Sequence, residues 1–127
     1  MLFVRPKYWL SFMLLLVTYS TLYAQQGNNW YFGEYAGLSF NTTPPTALTN
    51  GQLNTAEGCA SISDKNGNIL FYTDGMFVYD RTHTVMPNGS GLMGNISSFN
   101  SAIIVPKPGD NFIYYIFTAD AAENNYS

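Results

Sequence analysis

Two stretches of this sequence, Ile69-Leu-Phe-Tyr72 and Phe112-Ile-Tyr-Tyr-Ile-Phe117, are apolar at every position. An extended strand points alternate side chains to opposite faces, so a strand that is apolar throughout must be covered on both sides. Helical spacing is absent after the first two dozen residues. Short apolar runs broken by Gly, Asn, Asp and Pro take its place, and these predict antiparallel strands and turns. Strands are expected over residues 30–32, 38–40, 59–63, 69–73, 77–80, 102–105 and 112–118, with polar loops over 41–56 and 87–100.

The two apolar runs belong to a repeat. Ala60-Ser-Ile-Ser-Asp-Lys-Asn-Gly67 followed by an aromatic strand, Thr73 and Asp74 is matched by Ala102-Ile-Ile-Val-Pro-Lys-Pro-Gly109 followed by an aromatic strand, Thr118 and Asp120. Gly67 and Gly109 stand 42 residues apart, and Thr73 and Thr118 stand 45 apart. A period of about 40–50 residues with several short strands per unit is the sequence form of propeller blades. The expected fold is therefore all-β, with antiparallel strands forming about two blades of a β-propeller-like domain. A closed ring takes about four to eight blades, so this stretch is expected to be an incomplete fragment, partnered by the rest of its own longer chain.

The repeat also decides how Asp64, Asn66 and Asn68 are read. Their alternate spacing imitates the first ligands of a calcium loop, but such a loop wants Gly at its sixth place and Glu at its twelfth. Those places hold Ile69 and Gly75. The second unit keeps the glycine and the chain reversal, with Pro106 where the first has Asp64, so a hairpin corner is expected.

Before the repeat, a short basic start (Arg5, Lys7) leads into an apolar run from Trp9 to Val17 and then to Ala24, ahead of Gln25-Gln26. That order describes a secretory signal peptide over residues 1–24, leaving 25–127 as the domain. The run falls short of the roughly 20 apolar residues needed to cross a bilayer, so no transmembrane helix is expected after cleavage. The protein is expected to be secreted, extracellular or on a cell surface. After the leader, Lys65, Arg81 and Lys107 face eight acids with no basic cluster, which argues against nucleic acid as a partner.

Few residues offer chemistry. Cys59 is the single cysteine and is expected in the core. His83 is the single histidine, so a transition-metal site lacks ligands, while a Ser/His/Asp triad would have to use His83 without a nucleophile-elbow motif in the sequence; a surface turn is expected there. No cofactor or metal is expected. Glu57, Asp74 and Asp120 could pair as glycosidase carboxylates, yet Asp74 and Asp120 recur at equivalent places of the repeat, which suits a turn role. Trp30, Tyr31 and Tyr35 are the aromatic candidates for a contact surface.

Asn29-Trp-Tyr-Phe-Gly33, Ala36-Gly-Leu-Ser-Phe40, Glu57-Gly-Cys-Ala-Ser-Ile-Ser-Asp64, Gly67-Asn-Ile-Leu-Phe-Tyr-Thr-Asp-Gly75 and Ser101-Ala-Ile-Ile-Val-Pro-Lys-Pro-Gly109 follow one another in order. This series resembles the amino-terminal region of large secreted surface proteins of Bacteroidetes. The resemblance implies a propeller-like region followed by PKD-type modules and a gliding-motility-associated sorting domain for type IX secretion. It carries no catalytic residues over. The expected function is non-catalytic adhesion or binding of a surface polysaccharide or protein; the alternative is part of an extracellular propeller-fold hydrolase acting on glycans.

Overall fold

The computed structural model describes residues 24–121. The expected leader, all but its last residue, and residues 122–127 lie outside the described part. The described residues form strands and loops with no helix, in three antiparallel sheets, none closed on itself. Strands β1 (Asn29–Phe32), β2 (Ala36–Ser39) and β3 (Thr46–Leu48) make the first sheet. Strands β4 (Ala60–Ser63), β5 (Ile69–Thr73), β6 (Phe77–Asp80) and β7 (Val85–Ser90) make the second, in chain order. A hairpin of β8 (Ala102–Pro106) and β9 (Tyr114–Thr118) is the third.

Aspartates build the corners. Asp64 Oδ1 accepts from the backbone N–H groups of Asn66 (2.8 Å) and Asn68 (2.9 Å) between β4 and β5. Asp80 Oδ1 accepts from Thr82 (2.8 Å) and Thr84 (3.1 Å) between β6 and β7. Asp110 Oδ1 accepts from Phe112 (2.8 Å) and Ile113 (3.2 Å) between β8 and β9. Each carboxylate satisfies amides that the reversal takes out of the ladder. Gly67 completes the first of these corners at φ 80°, a conformation that costs a side-chain-bearing residue.

The second sheet carries the core on both faces. On one face Tyr72, fully buried, lies with Tyr31 and Leu53, and Leu48, Ile69 and Tyr79 pack around them. The Tyr31 and Tyr72 rings stack with centroids 4.4 Å apart. On the other face Ile62, Phe71 and Val78 lie beneath Ile104, Tyr114 and Ile116 of the hairpin. Phe71 meets the edge of Tyr114 at 5.4 Å. The first apolar run is thus covered on both sides, as its sequence requires.

The second run is covered on one side, contrary to expectation. β9 begins at Tyr114 because Asp110 draws Phe112 and Ile113 into the corner. Ile104, Tyr114 and Ile116 face the second sheet, while Ile103, Tyr115 and Phe117 remain 58 %, 46 % and 58 % exposed. No described element lies across that outer face.

The repeat holds in register. Ala60 pairs with Thr73 and Ile62 with Phe71, just as Ala102 pairs with Thr118 and Ile104 with Ile116. The faces do not follow the same rule. Ile62 and Phe71 meet Ile104 and Ile116, so equivalent faces of the two units pack against each other. A propeller step would set the front of one unit on the back of the next.

One strand, β3, falls inside an expected loop, and another, β7, runs into the second from Val85 to Ser90. β3 is a three-residue edge strand just after Pro44-Pro45, paired only with β2. β7 contains Pro87 and Gly89 and pairs irregularly with β6, through Phe77–Ser90 and Tyr79–Val85. Edge strands tolerate Pro and Gly that would break an inner one, which is why these turn-forming residues hid them.

Because Leu53 is fully buried between the first two sheets, Leu53→Ala is expected to lower unfolding stability by roughly 2–5 kcal/mol. Met93→Ala, at a site 78 % exposed, is expected to change it by less than about 0.5 kcal/mol. Denaturant unfolding of the two variants checks both.

Candidate functional site

The first strands of the first two sheets run side by side, and their seam is closed by side chains. The Tyr31 N–H on the open edge of β1 donates to Ser61 Oγ at 2.9 Å, and its carbonyl accepts from Cys59 Sγ at 3.3 Å. Asn29 Nδ2 donates to Ser63 Oγ at 2.9 Å and to the Gly67 carbonyl at 2.6 Å. Small polar residues in β4 therefore take the place of a neighbouring strand's backbone for the Tyr31 amide. This is a job that Ile103 and Val105, at the equivalent places of β8, could not do.

Beside the seam opens a pocket of about 390 Å³, lined by Trp30, Tyr31, Phe32, Cys59 and Ser61. Its volume lies within the range of small-molecule sites. Trp30 is 53 % exposed; its Nε1–H donates to the Gly27 carbonyl at 2.8 Å, and its ring leans on Phe40 with centroids 4.9 Å apart. The indole edge is thus tied down while its surface stays open. No charged side chain lines the pocket, so its chemistry suits a neutral ligand with an apolar face. A second concavity of about 290 Å³ lies between Val78, Met86 and Pro87 on one side and Phe112, Tyr114 and Ile116 on the other.

The three aromatic candidates part company. Trp30 stands at the pocket. Tyr31 is only 3 % exposed and belongs to the core, and it forms part of the pocket wall from that buried position. Tyr35 is exposed at the β1–β2 turn with φ 58°, its N–H donating to the Leu53 carbonyl at 2.7 Å, and it does not line the pocket.

Two of the three candidate acids, Asp74 and Asp120, are used structurally. Asp74 is buried, and its Oδ1 accepts from the N–H groups of Met76 (2.8 Å) and Phe77 (2.7 Å). Asp120 Oδ1 accepts from Ala121 N–H (2.8 Å) and Asn95 Nδ2 (3.2 Å). Glu57 is exposed, and none of the three lines either concavity. Among the described residues, no three His, Cys, Asp or Glu side chains gather where they could hold a metal ion.

One cluster was hidden from sequence reasoning. His83, expected on a surface turn, is half-buried with φ 63°. Its Nε2 lies 2.7 Å from Asn50 Nδ2 and its Nδ1 lies 3.0 Å from Tyr72 Oη. Tyr31 Oη donates to Asn50 Oδ1 at 3.2 Å, and Tyr72 Oη accepts from Gln52 N–H at 3.2 Å. Burial pushes the Tyr72 hydroxyl up to about 12 and raises that of Tyr31. Burial, with Asp74 adding to it, also raises the Cys59 thiol, which makes it a poor nucleophile. Asn50 and His83 are 33 residues apart, and no local pattern announces such a pair.

No family model matches this chain, and no curated protein and no solved structure matches it either. Among the described residues, no helix is long and apolar enough to cross a membrane.

The corner carboxylates set an acid dependence. The Asn68 side-chain amide holds Asp64 below the ordinary carboxylate value, and the Thr82 hydroxyl does the same for Asp80. A depressed folded-state value gives stability that is present above the unfolded value near 3.8 and is lost as pH falls through the folded one. The melting temperature is expected to fall more steeply with acid below about pH 4 in the parent than in Asp64→Asn/Asp80→Asn. Thermal melts from pH 7 down to pH 2 check the slope.

Proposed function

We propose that this chain is the exported, propeller-like amino-terminal segment of a bacterial surface or secreted protein, of the Bacteroidetes kind that its sequence resembles. Its work is to bind a neutral polymer, a polysaccharide first, without cleaving it. The observation that carries this reading is the open pocket at the β1–β4 seam, walled by Trp30 and Phe32 and free of charged groups. Aromatic faces stack on the apolar face of a sugar ring, and the Trp30 indole is already held in place by Gly27.

Two features support the architecture. The three sheets follow chain order, and their first strands β1, β4 and β8 neighbour one another in sequence, as the inner strands of consecutive blades do. The packing of equivalent faces between the second and third sheets departs from a regular propeller step, so the reading rests on the first-to-second step. The basic start and apolar run of the leader support export.

Non-catalytic action follows from where the acids sit. The Asp74 carboxylate accepts from two amides of its own corner, and no paired carboxylates stand over the pocket. The purified chain is expected to be retained on an array of bacterial surface polysaccharides, with Trp30→Ala weakening retention by roughly 10-fold at unchanged circular dichroism. Glycan cleavage by the parent that disappears in Glu57→Gln would sink the non-catalytic reading in favour of a hydrolase.

A further inference from the structure

Three Asn-Gly dipeptides stand in this chain, at Asn50-Gly51, Asn66-Gly67 and Asn88-Gly89. Each offers the same latent reaction, because glycine has no side chain to keep its backbone nitrogen from the side-chain carbonyl carbon of the asparagine before it. The fold treats the three differently. The Asn50 amide is held at both ends: Oδ1 accepts from Tyr31 Oη at 3.2 Å, and Nδ2 lies 2.7 Å from His83 Nε2. Gly51 beside it is buried against the Tyr31 ring. At Asn66-Gly67 the backbone is fastened instead. Gly67 N–H donates to the Asp64 carbonyl at 3.0 Å, the Gly67 carbonyl accepts from Asn29 and Asn41, and Asn66 N–H donates to Asp64 Oδ1.

Asn88 sits where the ladder is broken. Its side chain is exposed and makes no hydrogen bond to another described residue. Its φ of 60° lies in the left-handed region, which asparagine tolerates better than most residues. Between the pairs Phe77–Ser90 and Tyr79–Val85, Met86, Pro87, Asn88 and Gly89 face Val78 alone, so the strand bulges there. β7 is also the last strand of its sheet, and no described strand lies on its outer side.

We propose that Asn88 is a site of spontaneous deamidation, and that it is the one of the three that reacts while the chain is folded. The Gly89 nitrogen, losing its proton to solvent base, attacks Asn88 Cγ. A C–N bond forms, the bond from Cγ to the side-chain nitrogen breaks, and ammonia leaves. Water then opens the cyclic succinimide at either carbonyl, giving aspartate or isoaspartate. The product carries a new negative charge, and the isoaspartate form also carries an extra methylene in the backbone. Both changes fall on the concavity between β7 and the β8–β9 hairpin, which Asn88 helps to line. Ageing thus turns a neutral, mostly apolar surface into an anionic one, independently of the pocket at the β1–β4 seam.

Peptide mapping by mass spectrometry, on the purified chain held in warm, mildly alkaline buffer, tests this. Conversion at Asn88 is expected to outpace that at Asn50 and at Asn66 by roughly 10-fold or more, because those two must first open their hydrogen-bonded loops. In urea the three rates are expected to converge, since the dipeptide is the same. Isoaspartate, read by enzymatic methylation, is expected beside aspartate at position 88. Asn88→Gln lengthens an exposed side chain and slows ring closure. It is expected to abolish the acidic species that builds up in the parent on ion exchange, with circular dichroism unchanged. Equal rates at the three sites in the folded chain overturn the proposal, and so does an Asn88 that folding slows as much as the other two. Aspartate alone at position 88 overturns the ring-closing route. An acidic species that survives Asn88→Gln overturns the proposal as well, because another amide then reacts first.

Discussion

The stack of Tyr31 on Tyr72 joins the first sheet to the second, and the rest of the structure is arranged around it. Tyr72 is fully buried, lies 4.4 Å from Tyr31 and 5.4 Å from Tyr79, and forms the floor on which Leu53 is enclosed. Offset aromatic pairs add about 0.5–1.5 kcal/mol to the burial of their surface, but buried hydroxyls would cancel that gain if left unpaired. Asn50, His83 and the Gln52 amide answer both hydroxyls. Two loops distant in sequence are thereby drawn over one stack, and the seam pocket opens beside it. Replacing either tyrosine by an aliphatic residue would remove the stack and strand this polar lid.

Five aspartates in this protein serve the chain's own turns. Asp64, Asp74, Asp80, Asp110 and Asp120 each accept from nearby backbone amides. An acid whose lone pairs are engaged in this way is poorly placed to take a proton from a substrate or to meet a cation.

Much of this was legible because local chemistry specified it. The bounds 69–73 and 77–80 follow from β-forming residues between Asp and Gly corners, and the matching hairpin registers follow from the repeat. β3 and β7 escaped because edge strands admit the residues that signal loops. The candidate site was half visible. Trp30 and Tyr35 are exposed as an aromatic cluster suggests, but Tyr31 differs from Trp30 only in strand parity, and parity is set by which face finds a partner. The Asn50–His83 contact is a tertiary event with no sequence trace. The repeat predicted a shared environment for both aromatic strands; packing gave β5 two covers and β9 one.

That difference is the centre of the account: one hairpin is buried between layers, and its in-register equivalent lies at the outside of the stack. Hydroxyl-radical footprinting of the chain in dilute solution, read by mass spectrometry, tests it most directly. Slow modification of Tyr31, Phe71 and Tyr72 with fast modification of Ile103, Tyr115 and Phe117 is the predicted result. Equal protection of both sets in the dilute monomer, or ready attack on Tyr72, would contradict it.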